Sequence, residues 1–205
     1  MKVSEILLKY KTDKNYGIIK NIYDNLYDWN IINNPEPYIG HSYGQSYDEI
    51  FENFDRNSDI NILEIGIQKG GSMVAWKDYF ENGNIYGIDV VDVILPEYRR
   101  DDFNYIINDV KDLSIKKKLE DVMFDIIIDD GSHHIDDVIF VVNNYLDKLN
   151  KGGYLIIEDC QHPENWVNSI RDLIPNDYEL TTKDLRNDTE YSSYDNFLII
   201  IRRKL

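Results

Sequence analysis

Ile60-Asn61-Ile62-Leu63-Glu64-Ile65-Gly66-Ile67-Gln68-Lys69-Gly70-Gly71-Ser72 is an apolar run that ends in glycine and reopens, after a short turn, on two further glycines and a serine. A run of this length bounded by glycine reads as a buried strand. The residues after it change period: Met73, Trp76 and Phe80 share one face of a helix predicted over 71–82, with Gly83 as its stop. Strand, glycine turn and helix in that order make the first half of a βαβ unit.

The pattern continues outward. Strands are predicted at 85–91, 104–107, 124–128 and 154–157, and an amphipathic helix over 135–149 buries Ile135, Val138, Ile139, Val142, Tyr145, Leu146 and Leu149. Asn150-Lys151-Gly152-Gly153 is expected to break that helix before the next strand. A helix around 166–173 stops before Pro175, and two last strands, 178–182 and 197–202, flank a polar loop. Alternating strands and helices predict an α/β fold, a doubly wound and mostly parallel Rossmann-like sheet. The last two strands lack a helix between them, so an antiparallel hairpin should close it. Residues 1–58 are Tyr-rich, carry Pro35 and Pro37 and show modest helix periodicity. They are expected to form a short N-terminal helical cap over the sheet edge, with 59–205 as the ligand-binding unit. The four-residue spacing of Tyr23/Tyr27 and Tyr43/Tyr47 suits packing on one helical face.

Composition excludes some partners. The 205 residues carry 38 Asp+Glu against 22 Lys+Arg, a formal charge of -16. Nucleic acid and anionic membrane surfaces need clustered basic residues and are poor partners for this chain. Cys160 is the only cysteine, so an intrachain disulfide is impossible and a reducing compartment is expected. Met1-Lys2 leads into polar sequence, and no apolar run approaches the ~20 residues needed to span a bilayer. A cytoplasmic protein is expected.

In such sheets ligands gather at the carboxyl ends of the strands. Gly66, Asp89, Asp109, Asp129-Asp130 and Glu158-Asp159 all fall at predicted strand ends, hence on one edge. Helix capping accounts for only part of this set. Gly66, Gly70 and Ser72 mark a turn where a ligand can approach the backbone, with Ser72 also able to cap the helix. Asp89 lies 23 positions after Gly66, close to the ~20 expected of an acid that binds a ribose diol. Nicotinamide, flavin and S-adenosylmethionine (SAM) folds share that arrangement. Glu64 before the glycine, and the lack of a third fingerprint glycine, favour SAM.

The run Asp129-Asp130-Gly131-Ser132-His133-His134 is costly after a buried strand, because charge there must be paired, neutralised or bound to metal. Ser132 would cap a helix starting near His133 if the run were structural, and Glu158-Asp159 would then pair with surface lysines. Carboxylates from two adjacent strand ends can hold Mg²⁺ and leave a face open to substrate hydroxyls. Imidazole, with an ordinary pKa near ~6.5, suits proton removal at neutral pH.

Leu63-Glu64-Ile65-Gly66 with Gly70-Gly71-Ser72, Tyr86-Gly87-Ile88-Asp89, the segment 125–133 and Ile157-Glu158-Asp159 resemble a class I SAM-dependent methyltransferase. The nearest resemblance is to the metal-dependent macrolide-sugar O-methyltransferase group (mycinamicin and macrocin types), related to the cephalosporin hydroxylase family. Thr12-Asp13-Lys14 and His41-Ser42-Tyr43-x-x-x-Tyr47 resemble that group's N-terminal segment, and the whole resemblance covers roughly residues 12–160. It implies SAM bound by Glu64, Gly66, Gly70, Ser72, Asp89, Asp109, Val110 and Asp129. It implies Mg²⁺ held by Asp130, Glu158 and Asp159, His133 as general base, and methyl transfer to a sugar hydroxyl of a glycan, nucleotide sugar or glycosylated small molecule. His41 and Tyr43 are candidates for the substrate wall, and Trp29 and Trp166 for acceptor contacts. His134 reads as packing or support. Related enzymes assemble into oligomers, which leaves a homo-oligomer open. Two other readings stand beside this one. An Fe(II)- and 2-oxoglutarate-dependent hydroxylase would use two histidines and a carboxylate. A non-catalytic nucleotide-binding module would need no general base.

Overall fold

Five apolar strand cores, each too hydrophobic to face water, find the same solution by lying side by side with both faces covered. The protein is described as a computed structural model over residues 1–10, 12–15, 18–19, 38–39, 41–187 and 194–205. Its elements run α1 (Val3–Lys9), the short antiparallel pair β1 (Ile18–Ile19) and β2 (Tyr38–Ile39), α2 (Gly44–Phe51), β3 (Asn61–Ile65), α3 (Gly71–Tyr79), β4 (Asn84–Asp89) and β5 (Asn104–Ile107). They continue with α4 (Leu113–Lys118), β6 (Phe124–Asp129), α5 (Ile135–Tyr145), β7 (Leu149–Ile157), α6 (Pro163–Arg171), β8 (Tyr178–Asp184) and β9 (Phe197–Arg203).

The main sheet has seven strands in the order β5-β4-β3-β6-β7-β9-β8. Every pairing is parallel up to β7, and β9 inserts antiparallel between β7 and β8. This is the mostly parallel, doubly wound sheet with a terminal antiparallel hairpin that the alternation predicts. The strand order reverses between β3 and β6, so their carboxyl ends diverge there and open a crevice.

One core cluster joins the inner side of α3, through Met73, Ala75 and Trp76, to Ile62, Ile126, Ile156 and Leu198 of the sheet. The other joins α4, α5 and α6, through Ile115, Val138, Val142, Trp166 and Ile170, to Leu63, Ile127, Leu155 and Ile199. Alternate residues of each strand therefore feed opposite layers. Val3, Ile6, Leu7, Tyr43, Tyr47, Ile50 and Phe51 belong to the first cluster. The N-terminal helices thus cover a face of the sheet beside α3, not its edge. The reason is that α3 is the only crossover helix among the described residues on that face, and β6, β7 and β9 would otherwise be bare.

Two local expectations are revised, and two short helices join the elements that the pattern predicts. The helix after β6 ends at Tyr145 and passes through a single 3₁₀ turn, Leu146–Lys148, into β7. Asn150-Lys151-Gly152-Gly153 lies inside β7, where the register against β6 shifts and Gly152 takes φ +81°. The glycines make a bulge in a strand and do not separate two elements. The helices α1 and α4 lie in stretches too short for a periodic signal, the second started by the Asp112 carboxylate accepting the Ser114 N–H. Tyr23, Tyr27 and Trp29 lie outside the described residues.

Candidate active site

A cavity of about 780 Å³ opens at the switch point, a volume typical of small-ligand sites. It is lined by Gly66, Gly70, Ser72, Asp89, Asp109, Val110, Asp129, Asp130, His133, Asp159 and His41, together with the unforeseen Thr12, Asp13 and Lys14.

At one end the wall is backbone. Gly66 holds φ +84°, and a Cβ there would stand 2.0 Å from the Asp130 carbonyl oxygen. Only glycine lets β3 and β6 approach so closely while the chain turns. Gly70, at φ +86°, is the residue before α3. Between them Asp89 organises the loop: its Oδ2 accepts the N–H groups of Ile67 (2.9 Å) and Gln68 (2.8 Å). Asp89, expected to face a ribose, therefore also holds the turn from the neighbouring strand. Ser72 is not a helix cap. It lies inside α3 and donates to Glu64 Oε2 at 2.9 Å.

At the other end the wall is charged side chains. Asp130, His133 and Asp159 each present a ligand-type atom, all within 4.8 Å of one another. His133 Nε2 stands 3.9 Å from Asp130 Oδ1 and 3.7 Å from Asp159 Oδ2. His133 (φ +53°) and Asp159 (φ +54°) both sit in the left-handed region. Such backbone costs of order 1–3 kcal/mol per residue and concentrates at functional sites. These turns aim both side chains across the crevice from adjacent strand ends. The Ser132 hydroxyl does not cap α5 but donates to Asp137 Oδ2 at 2.6 Å. His134 is the residue before α5, exposed and outside the cavity lining.

Three expected site residues stand behind this wall. Glu64 is fully buried, accepting from Ser72 and the Trp76 indole N–H (2.9 Å each). Glu158, also sealed from solvent, accepts from Lys14 Nζ at 2.8 Å through Oε2 and from the Tyr47 hydroxyl through Oε1. Tyr43 is buried with its hydroxyl donating to Asp159 Oδ1 at 2.6 Å, and it stacks on His41 at 4.8 Å. Glu64, Glu158 and Tyr43 do not line the cavity; they brace the groups that do. Trp166 is buried in the opposite layer and faces no acceptor.

Electrostatics follow from burial. Desolvation, reinforced by neighbouring carboxylates, pushes Asp159 and Glu158 well above the ordinary carboxylate range. Burial likewise raises Asp130, against the pull of Lys14. Asp129 is pushed up to about 7 by burial, with the charges of Asp130 and Asp137 adding to it. Its Oδ2 is buried without a hydrogen-bond partner among the described residues. An unsatisfied acceptor in a cavity wall fits an incoming donor or cation. His41 is lowered by burial, and its Nδ1 is also unpartnered among the described residues.

Lys14 is a charged group of this wall that strand-end spacing does not place there. Its Nζ lies 2.5 Å from Asp130 Oδ2, 2.8 Å from Glu158 Oε2 and 3.4 Å from Glu64 Oε1, with its side chain 2% exposed. Burial works against its charge, but the three carboxylates more than offset that and hold it well above the ordinary lysine value.

No family model matches the chain. Among curated proteins it is 32% identical over 130 residues to the 8-demethyl-8-α-L-rhamnosyl tetracenomycin-C 2'-O-methyltransferase of Streptomyces olivaceus, covering 59% of this chain and 34% of that protein. It is 34% identical over 128 residues to the demethylmacrocin O-methyltransferase of Streptomyces fradiae, covering 58% of this chain and 32% of that one. The matches thus span about a third of the relatives' length. Among solved structures, the MycE methyltransferase of the mycinamycin biosynthetic pathway, in complex with Mg, SAH and mycinamycin VI, superposes with a TM-score of 0.69. It covers 100% of this chain and 55% of that one at 21% identity. The chain has the Rossmann-like methyltransferase fold, and these relatives include the macrocin and mycinamicin types that its motifs resemble.

Proposed function

We propose that the chain is the catalytic unit of a SAM- and Mg²⁺-dependent O-methyltransferase that modifies a sugar hydroxyl of a small glycosylated molecule or glycan in the cytoplasm. One observation carries the reading: a single cavity joins the glycine turn of β3 and α3 to the Asp130, His133 and Asp159 cluster. The described residues fit both groups. Backbone open at Gly66 and Gly70 admits close approach of a cofactor, and the unpartnered Asp129 oxygen suits its cationic portion. The names of the matched relatives describe O-methyl transfer.

Asp130 and Asp159 would hold the metal, with Glu158 reaching the site from behind. A divalent ion bound there lowers the pKa of a coordinated hydroxyl. His133 Nε2 takes the proton from the acceptor oxygen, placed for it by the left-handed turn at its own Cα. The rest of the wall works by positioning: it brings the acceptor oxygen and the methyl donor together in one crevice. A hydroxylase of the two-histidine, one-carboxylate kind is not favoured, because among the described residues the ligand-type cluster holds one histidine and two carboxylates, and His134 is exposed and outside the cavity lining.

The test is methyl transfer from SAM to a panel of glycosides, with and without EDTA. Chelation should abolish activity, and His133→Ala should lower turnover by about 10²–10⁴ while leaving SAM affinity within about threefold. Undiminished activity in EDTA would remove the metal, and absence of SAM binding would remove the whole reading.

A further inference from the structure

The acidic end of the cavity contains a cation of its own. Lys14 reaches it from the loop after α1, which is pinned where the Tyr43 N–H donates to the Lys14 carbonyl at 3.0 Å and the His41 N–H to the Asp13 carbonyl at 2.5 Å. Three carboxylates surround this ammonium: it donates to Asp130 after β6 and Glu158 after β7, and it stands 3.4 Å from Glu64 Oε1 in β3 as an ion pair without a hydrogen bond. The contacts are specific to one oxygen of each site acid. Lys14 takes Asp130 Oδ2, while Asp130 Oδ1 is the oxygen facing His133. It takes Glu158 Oε2, while Oε1 meets the Tyr47 hydroxyl.

We propose that Lys14 is a positioning residue for the metal site: held from behind by Glu158 Oε2, it takes Asp130 Oδ2 and so aims Asp130 Oδ1 into the site before any divalent cation arrives. The inference rests on the reading that such an ion binds here. Lys14 is not a surrogate that the ion displaces. Glu64 is sealed from the cavity, and among the described residues Lys14 is its only cationic partner, so an ammonium that left would strand a buried carboxylate. The same contact makes residues before position 15 part of the site, although the glycine turn and the His133 run lie far along the chain.

The test separates positioning from simple structural support by reading two ligands. Mn²⁺ and SAM are titrated calorimetrically into the full chain, as wild type, as Lys14→Met, and as Lys14→Met combined with Glu64→Gln. The double variant removes one positive and one negative group together, so a single variant that fails to fold still leaves a charge-balanced one. Both variants should bind Mn²⁺ about 10–100-fold more weakly, the usual cost of removing a partner that orients a metal ligand, with the SAM affinity of Lys14→Met within about threefold of wild type. In the unmutated protein, the ¹⁵N signal of the Lys14 ammonium should persist, shifted, when Mg²⁺ is added. Mn²⁺ affinity that is unchanged or tighter in the variants, equal losses of Mn²⁺ and SAM binding in Lys14→Met, or an ammonium released to the solvent position on adding Mg²⁺ would each overturn the proposal. A wild type that binds no Mn²⁺ would instead overturn the reading on which it rests.

Discussion

The two ends of the cavity are made from different materials. At the glycine end the surface is main chain, set by two positive-φ glycines and by Asp89, which ties the Ile67 and Gln68 amides to the next strand. Its turn is set within a βαβ unit, which packs at Gly66 against the Asp130 carbonyl. At the acidic end the surface is side chains whose positions depend on partners far along the sequence: Lys14 on Glu158 across 144 positions, Tyr43 on Asp159 across 116. The first end is rigid because nothing larger than hydrogen fits. The second is held by long-range pairs that are costly to lose, Lys14 with Asp130 and Glu158 and the Tyr43 hydroxyl with Asp159, and it leaves the Asp129 Oδ2 unpartnered among the described residues. Perturbing the first should therefore act through sterics, and perturbing the second through electrostatics and hydrogen bonding.

The largest effect should come from the backbone end. Gly66→Ala places a methyl 2.0 Å from the Asp130 carbonyl oxygen at a φ that L-residues avoid, and neither backbone can yield. A loss of at least about 4 kcal/mol in denaturant-measured stability is expected. A loss under about 1 kcal/mol would mean that the two strands can part, and the contrast between the ends would dissolve.

The acidic end should instead answer to pH. Asp129 titrates at about 7 in the folded protein because burial disfavours its charge, against an ordinary value near ~3.9 in the unfolded chain. Between those values the folded state keeps a proton that the unfolded state has shed, so Asp129's contribution to stability falls as pH rises and levels off above about 7. Metal-free wild type should lose roughly 2–3 kcal/mol more than Asp129→Asn on going from pH 5 to pH 7. Parallel stability curves would show that Asp129 is not held neutral. The smallest effect belongs to Tyr43→Phe, which removes one hydroxyl from Asp159 and leaves the ring stack on His41. It should cost about 1–2 kcal/mol in stability, and leave SAM affinity unchanged by calorimetry.

The same division governs what could be read from the chain alone. Gly66, Gly70 and Asp89 announce themselves through spacing inside one supersecondary unit, and the strands that frame them were visible as apolar runs. The strand-end rule then gathered Asp109, Asp129, Asp130 and Asp159 on one edge, where the cavity lies. Spacing is silent about partners beyond the unit. Glu64, Glu158 and Tyr43 read as lining groups, yet they stand one layer back. Which side of a wall a long side chain occupies is settled by Lys14, Trp76 and Tyr47, residues that the linear pattern marks only as basic or aromatic. The N-terminal helices were misplaced on the sheet edge for a related reason: nothing local says that β6, β7 and β9 lack a covering helix on one side. Gly152-Gly153 misled because glycine serves a strand bulge as readily as a helix stop.

That the cavity's two ends hold two different ligands at once is tested most directly by titrating Mn²⁺ calorimetrically into the chain saturated with SAM, as wild type and as Asp159→Asn. One ion and one cofactor should bind per chain without excluding each other, and Asp159→Asn should weaken the ion at least about tenfold while leaving SAM affinity unchanged. Mutual exclusion of ion and cofactor, or a variant that weakens both alike, would contradict the account.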